Sequence, residues 1–185
     1  MTFGDVYDVL QYGNPILYQK AAPVQDSTTP EIKSIVKKMI QTVESRQAVG
    51  LAAPQVGILL CIVVFRIPTE TNNPRYVLTP EYDPEGVPMT ALINPVFTPV
   101  SNKMQEEWEG CQSFPGIMAK VPRYHHINYT YTTLDGEKVS KEALGFHARA
   151  IQHECDHLDG ILFPQRVTDI RKMGYSKELL QSSTS

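Results

Sequence analysis

Gln152-His153-Glu154-Cys155-Asp156-His157 is an HExxH motif set in a segment of helical apolar periodicity. It obliges the chain to build a helix with two imidazoles on one face, because His153 and His157 lie four positions apart and one turn brings such residues above each other. Both rings can then reach one metal ion, and Glu154 stands beside them, placed to move a proton. Phe146, Ala150, His153 and His157 fall at i, i+4, i+7 and i+11, one stripe running from an apolar patch to the imidazoles. A substrate pocket beside a metal needs such a stripe, but a plain core face has the same spacing. HExxH also arises in unrelated exposed helices, so the motif needs support from the rest of the chain.

Composition sets the frame. The 185 residues suffice for one sizeable core, and 42% hydrophobic with 20% charged residues is ordinary for a globular chain. A net charge of −3 gives no sign of a nucleic-acid binder. No apolar run reaches membrane-spanning length. The first nine residues carry Asp5 and Asp8 without a basic segment, so no signal peptide is expected. Three cysteines, Cys61, Cys111 and Cys155, fit a reducing cytoplasm.

Residues 5–24 read as loop with short extended pieces. A helix follows, capped by Thr29, with Pro30 in its first turn and Ile32, Ile35, Val36, Met39, Ile40 and Val43 at helical spacing; it should end near Gln47. The small-residue stretch 48–57 suits a close approach of another backbone. The apolar run 58–65 reads as a buried strand. Residues 68–88, with five prolines, read as a surface loop with a short strand at 75–78. A strand is expected at 91–100, confined by Asn94-Pro95 to an edge or a turn. Residues 108–116 form a turn-rich island. A hairpin about Asp135-Gly136 follows, then a helix over 141–159 closed by Gly160. The tail holds a short helix around 168–180, and the last five residues are expected to be disordered. The fold class is α+β, with mostly antiparallel sheets around a central metal-binding HExxH helix and a second long helix near the N-terminus, in a single domain over 1–185.

A catalytic metal takes three protein ligands and keeps one position open. The extended motif HExxHxxGxxH fails, since Phe163 stands at its last histidine. A downstream glutamate is available in Glu178, 21 positions after His157, although its polar surroundings suit a solvated helix face. Cys155 should point to the core and Cys61 lies in the apolar strand. Cys111, in a turn after Gly110, can approach a metal on a neighbouring helix; an ordinary buried thiol fits its flanks equally well. His125, His126 and His147 read as structural or exposed.

Three motifs now stand together: Val49-Gly50-Leu51-Ala52-Ala53-Pro54-Gln55, Glu109-Gly110-Cys111-Gln112-Ser113 and Gln152-His153-Glu154-Cys155-Asp156-His157-Leu158. In this order they closely resemble the peptide deformylases, which remove the N-formyl group from nascent proteins, and the resemblance runs from about Leu10 to Phe163. It implies Cys111, His153 and His157 as metal ligands and Glu154 as general acid/base. It implies Gln55 and the Gln112 backbone N–H around the developing oxyanion, and Gly50 where substrate backbone pairs in strand fashion. Glu109 and Arg123 look like a pair holding the Cys111 turn. Val49, Phe146 and Ala150 are candidates for the wall of a methionine pocket. Two departures stand out: Ala48 where the family usually has Gly, and Gln112 where it usually has Leu.

The resemblance also implies ferrous iron as the native metal, with zinc, nickel or cobalt able to substitute. The implied substrate is the N-terminal formylmethionine of nascent polypeptides, with release of formate and transient ribosome contact. A cytoplasmic monomer is expected, without nucleic-acid or membrane partner. The competing readings are a zinc metallopeptidase of the HExxH class using Glu178, and a non-catalytic binder of peptide termini around a structural metal.

Overall fold

The computed structural model describes residues 5–68 and 86–181. Most of the loop expected at 68–88, the strand expected at 75–78, and residues 182–185 of the tail lie outside the described residues.

Helix α1 (Pro30–Ser45) starts where its sequence dictates: the Thr29 hydroxyl accepts the Ile32 N–H at 3.3 Å, and Pro30 fills the first turn. Five strands, Gly50–Ala52 (β1), Ile62–Ile67 (β2), Val87–Pro99 (β3), His126–Thr132 (β6) and Lys138–Leu144 (β7), form one antiparallel sheet in the order β1-β2-β3-β6-β7. Met104–Gly110 (β4), Ile117–Tyr124 (β5) and Met173–Tyr175 (β8) form a second, in the order β4-β5-β8. Helix α2 (Gly145–Leu158) carries the HExxH motif, and the short α3 (Ser176–Gln181) ends the described chain. The class is α+β with antiparallel sheets.

The apolar run in β2 is explained by burial on both faces. Ile62 and Val64 pack with Ile32, Val36, Met39 and Val43 of α1, while Val63 and Phe65 pack with Ala148, Ile151 and Leu158 of α2. Successive side chains point to opposite faces, so a strand covered on both sides needs no polar alternation. Each large aliphatic side chain so buried contributes roughly 1.5–3 kcal/mol. The other flank of α2 is tied to the second sheet. The Gln152 amide accepts the Tyr124 N–H at 3.0 Å and donates to the Tyr124 carbonyl at 2.8 Å. Arg149 donates to the Val121 carbonyl at 2.7 Å.

Several boundaries differ from the sequence reading. Residues 58–61 are not strand: they follow the left-handed Gly57 and bond to Ala22, through Ala22 N–H to Leu59 O and Cys61 N–H to Ala22 O. Asn94-Pro95 does not mark an edge. β3 lies between β2 and β6, and its register shifts between Ile93 and Val96. This is a bulge, with Asn94 at φ 52°, a conformation asparagine tolerates better than most residues. Its side chain binds both the N–H and the carbonyl of Val24, at 2.9 and 2.8 Å, stapling the N-terminal segment to the sheet. Residues 141–144 complete β7, so α2 starts at Gly145 rather than 141. The turn-rich island is shorter than expected, because residues through Gly110 belong to β4. The tail is not one helix: a 3-10 turn over Ile170–Lys172 leads into β8, and the α-helix begins only at Ser176. Among the described residues no helix is long and apolar enough to cross a membrane.

Candidate metal centre and active site

Strand β4 ends at Gly110, which delivers Cys111 to the face of α2 that carries the histidines. The Cys111 sulfur and one ring nitrogen each of His153 and His157 lie within 4.8 Å of one another, the one such group among the described residues. Sγ is 3.3 Å from His157 Nε2. Ligand atoms around a single zinc-sized ion sit about 3.5 Å apart, so this donor set fits a metal with little rearrangement. It offers three donor atoms to such an ion.

Two of the three donors are held from behind. His153 Nδ1 donates to Glu109 Oε2 at 2.9 Å, which turns its other nitrogen towards Cys111 and His157. Cys111 Sγ accepts from the Ser113 N–H at 3.4 Å and from Gln55 Nε2 at 3.3 Å. Burial, with the positive charges of His153 and Arg123, keeps His157 well below the ordinary histidine range, so its neutral ring offers a lone pair. Burial disfavours the His153 imidazolium as well, yet Cys111 and Glu109 beside it hold its pKa well above 6.5. A metal must therefore displace a proton there.

Glu109 is the hub of this support, and the expected pair with Arg123 is present. Arg123 Nε and Nη2 reach the two carboxylate oxygens at 2.8 and 3.0 Å, and Arg149 Nη1 adds a 2.8 Å bond to Oε1. Burial alone would raise the Glu109 pKa; Arg123 and His153 instead hold it well below the usual carboxylate range.

Glu154 projects beside the donor group. Its Oε2 is buried without a hydrogen-bond partner among the described residues. Burial pushes its carboxyl up to about 7, against the pull of His153 and with the help of Glu109. A carboxyl poised there can both take and give a proton at neutral pH. Gly50 makes the space for it: a Cβ at position 50 would lie 2.4 Å from Glu154 Oε1. Gln55 is fixed at both ends of its amide. Oε1 accepts the Ala52 N–H at 2.9 Å, and Nε2 donates to Ser113 Oγ at 3.1 Å and to Cys111.

A cleft of about 650 Å³, counting the space at its open mouth, joins these groups. Val49, Gly50, Gln112, Phe146 and Ala150 line it together with Gln55, Cys111, His153 and Glu154, so the structure brings every candidate residue except His157 to one cavity wall, and His157 bonds Cys111 behind it. Glu178 is not among them: it is exposed on α3, beside Lys177. His147 is a core residue against Phe65 and Tyr129. Ala48 is buried between the core beneath α1 and the cleft, whose wall it joins, and the left-handed position in that loop is Gln47, at φ 50°. Its methyl therefore meets no backbone strain.

Sequence reasoning missed Trp108 in the cleft wall, Ser113 behind Gln55, and the charges Arg149 and Asp156. One signal was available for the charges. A helix that must bury a metal face on one side and a core face on the other has no solvated face left, so its arginine and aspartate need buried partners.

The comparisons with known proteins agree with this geometry. The family model for polypeptide deformylase matches residues 6–173. Peptide deformylase 1 of Nitrosomonas europaea is 44% identical over 176 residues, 95% of this chain and 96% of that protein. Peptide deformylase 1 of Bordetella pertussis is 44% identical over 174 residues, 94% of each chain. Among solved structures, the peptide deformylase of Thermotoga maritima superposes with a TM-score of 0.76 at 32% identity, covering 90% of this chain and all, 100%, of that one. A Met-Ala-Ser bound structure of the class I type b enzyme of Acinetobacter baumannii gives 0.76 at 34% identity, over 88% and 98% of the two chains. By sequence, by fold and by the assembly of its three motifs around one cleft, the chain belongs to the polypeptide deformylase family.

Proposed function

We infer that the chain performs the reaction of its family, removal of the N-formyl group from nascent polypeptides, with Glu154 as the group that moves protons. The observation that carries this role is the Glu154 carboxyl itself: buried, one oxygen unpartnered, and set at the cleft beside the Cys111–His153–His157 group.

The family is one of metalloenzymes, and Cys111, His153 and His157 are the residues that would hold the ion. When bound, the ion supplies Lewis acidity, polarising the formyl carbonyl and acidifying water. We assign ferrous iron as the native metal on the family resemblance, with zinc, nickel or cobalt as substitutes, since thiolate and imidazole suit these ions alike. The rest is work for the chain. Glu154 takes a proton from the attacking water as oxygen bonds to the formyl carbon. The Gln55 amide, pinned by Ala52 and Ser113, turns its second N–H from Cys111 to the oxyanion that develops, and the Gln112 N–H donates to it as well. Glu154 then protonates the leaving nitrogen as the C–N bond breaks, which releases formate and a free amine.

Val49, Phe146 and Ala150 form the wall against which the methionine side chain packs. Gly50 offers backbone for strand-like pairing, and β1 is an edge strand of its sheet with one side unpaired within that sheet. A relative solved as Met-Ala-Ser bound supports a peptide with an N-terminal methionine as occupant. On the same reading the chain acts as a single-domain monomer in the cytoplasm, in transient contact with the ribosome; three free thiols suit such a compartment.

The test is Glu154→Ala. It should retain metal at the wild-type stoichiometry and lose at least about 100-fold in kcat, the usual range for a general acid/base. Normal turnover would remove Glu154 from this role.

A further inference from the structure

The turn that follows α2 makes two contacts on the HExxH helix that the reaction does not itself require. Gly160, at φ 71°, reverses the chain, and the Ile161 N–H returns to the Asp156 carbonyl at 2.8 Å. A Cβ at position 160 would lie 2.5 Å from the Tyr18 carbonyl oxygen, so the reversal is tight. It sets the short helical turn Phe163–Arg166 against α2. Phe163 stacks on the His153 ring at 6.2 Å between centroids, 25° from parallel. Arg166 grips Asp156 with two bonds, Nη2 to Oδ1 at 2.8 Å and Nε to Oδ2 at 3.1 Å.

Asp156 in turn accepts from Arg123 Nη1, the one terminal nitrogen of Arg123 that Glu109 does not engage. The path is therefore continuous: Arg166 to Asp156, Asp156 to Arg123, Arg123 to Glu109, Glu109 to His153. Every member between the ends is buried; Asp156 is 5% exposed, Arg123 4% and Glu109 6%. Arg166 is the exposed end, its side chain 45% exposed, against 11% for His153 at the cleft. A planar fork on a carboxylate fixes direction as well as distance. Without it, Asp156 keeps a single donor, and Arg123 loses the fixed anchor that orients its face towards Glu109.

We propose that Arg166 is a positioning residue for the metal centre: by clamping Asp156 it fixes Arg123, Glu109 and hence the ring of His153, and so sets how tightly the Cys111–His153–His157 group retains its ion. The proposal rests on the reading of those three residues as the ligands. It assigns Arg166 no contact with substrate or metal.

Cobalt(II) titration against a competing chelator, well below the unfolding temperature, tests it on the whole chain. Arg166→Ala should weaken cobalt binding about tenfold, at the lower end of the effect of outer-shell partners of metal ligands. Its thiolate-to-cobalt absorption band should keep the wild-type energy, since the donors are unchanged. Arg166→Lys retains the charge without the fork and should also bind more weakly than wild type; it carries the test if Arg166→Ala fails to fold. Arg171→Ala removes an exposed arginine that pairs only with nearby Asp169 among the described residues and should bind as wild type. A merely structural Arg166 would lower the thermal midpoint and leave the cobalt affinity untouched; wild-type affinity in the folded variants overturns the proposal. Cys111→Ser separates the two levels. It should lose the absorption band, and if it kept band and affinity, the ligand assignment itself would fall and Arg166 with it.

Discussion

Replacing Gly50 by alanine adds one methyl group at the point where the strand meets the Glu154 carboxyl. Gly50 pairs with Phe65 in β1, and extended backbone accepts alanine, so the fold should survive. The new Cβ would lie 2.4 Å from Glu154 Oε1, 2.9 Å from its Cδ and 3.1 Å from its Cγ. Ordinary contact begins near 3.4 Å, so the carboxyl has to withdraw by about 1 Å. It is the end of a flexible side chain and can do so more cheaply than the strand can shift. A displacement of 1 Å in a reacting group costs about 100-fold, which is roughly 2.7 kcal/mol of transition-state stabilisation. The assay is steady-state release of formate from a formyl-Met peptide, with metal content and thermal midpoint measured in parallel. The expected result is a fall in kcat near 100-fold with metal content and midpoint close to wild type. A wild-type kcat in folded, metal-replete Gly50→Ala would refute the reasoning, because it would mean that the observed position of the Glu154 carboxyl is not the working one.

Other outcomes follow from the same geometry. Cys111→Ser should lose the metal while Glu178→Ala keeps it, read by metal analysis after dialysis; the reverse pattern would revive the peptidase layout. Glu109 is held well below its ordinary pKa despite burial, chiefly by Arg123 and His153. Its folded pKa is lower than the unfolded value of about 4.3, so its ionised form stabilises the fold fully above that pH, and the contribution fades as pH falls below it. Glu109→Gln should be less stable at neutral pH, with Arg123 and Arg149 left unpaired, and urea midpoints should decline less steeply from about pH 5 to 2.5; a decline parallel to wild type would contradict this. Burial pushes the Cys155 thiol far up, so a thiol-alkylating reagent should leave Cys155 unmodified in the native protein and label it only on unfolding, which peptide mapping detects.

The parts of this architecture legible in the sequence are those whose signal is local. The capped stripe of α1, the doubly buried run in β2 and the HExxH turn each declare themselves within a dozen residues. Cys111 was harder: its turn made it a better candidate than Glu178, but an ordinary buried thiol fitted its flanks equally well until the family motifs were weighed, and only the placement of β4 against α2 brings its sulfur to the histidines. What the sequence hid is long-range or exceptional. The bulge at Asn94 overrode the rule that proline marks an edge, because asparagine adopts the left-handed conformation and uses its amide to hold Val24. β8 has only three residues, Met173–Tyr175, and its pairing with β5 leaves no periodicity to read. The charge network joins Glu109, Arg123, Arg149, Asp156 and Arg166 from two strands, α2 and the turn beyond it. The family motifs pair Glu109 with Arg123, but no single stretch contains a matched pair for Arg149 or Asp156, which look like ordinary surface charges until the fold buries them.

The central claim is that this cleft cleaves a formyl group and not a peptide bond. The most direct measurement gives anaerobically prepared, iron-loaded protein a short formyl-Met peptide and, separately, the same peptide without the formyl group. Formate and a free amine from the first, with every peptide bond intact in both, is the predicted result. Cleaved peptide bonds in either substrate, or no product at all from metal-replete protein, would contradict it.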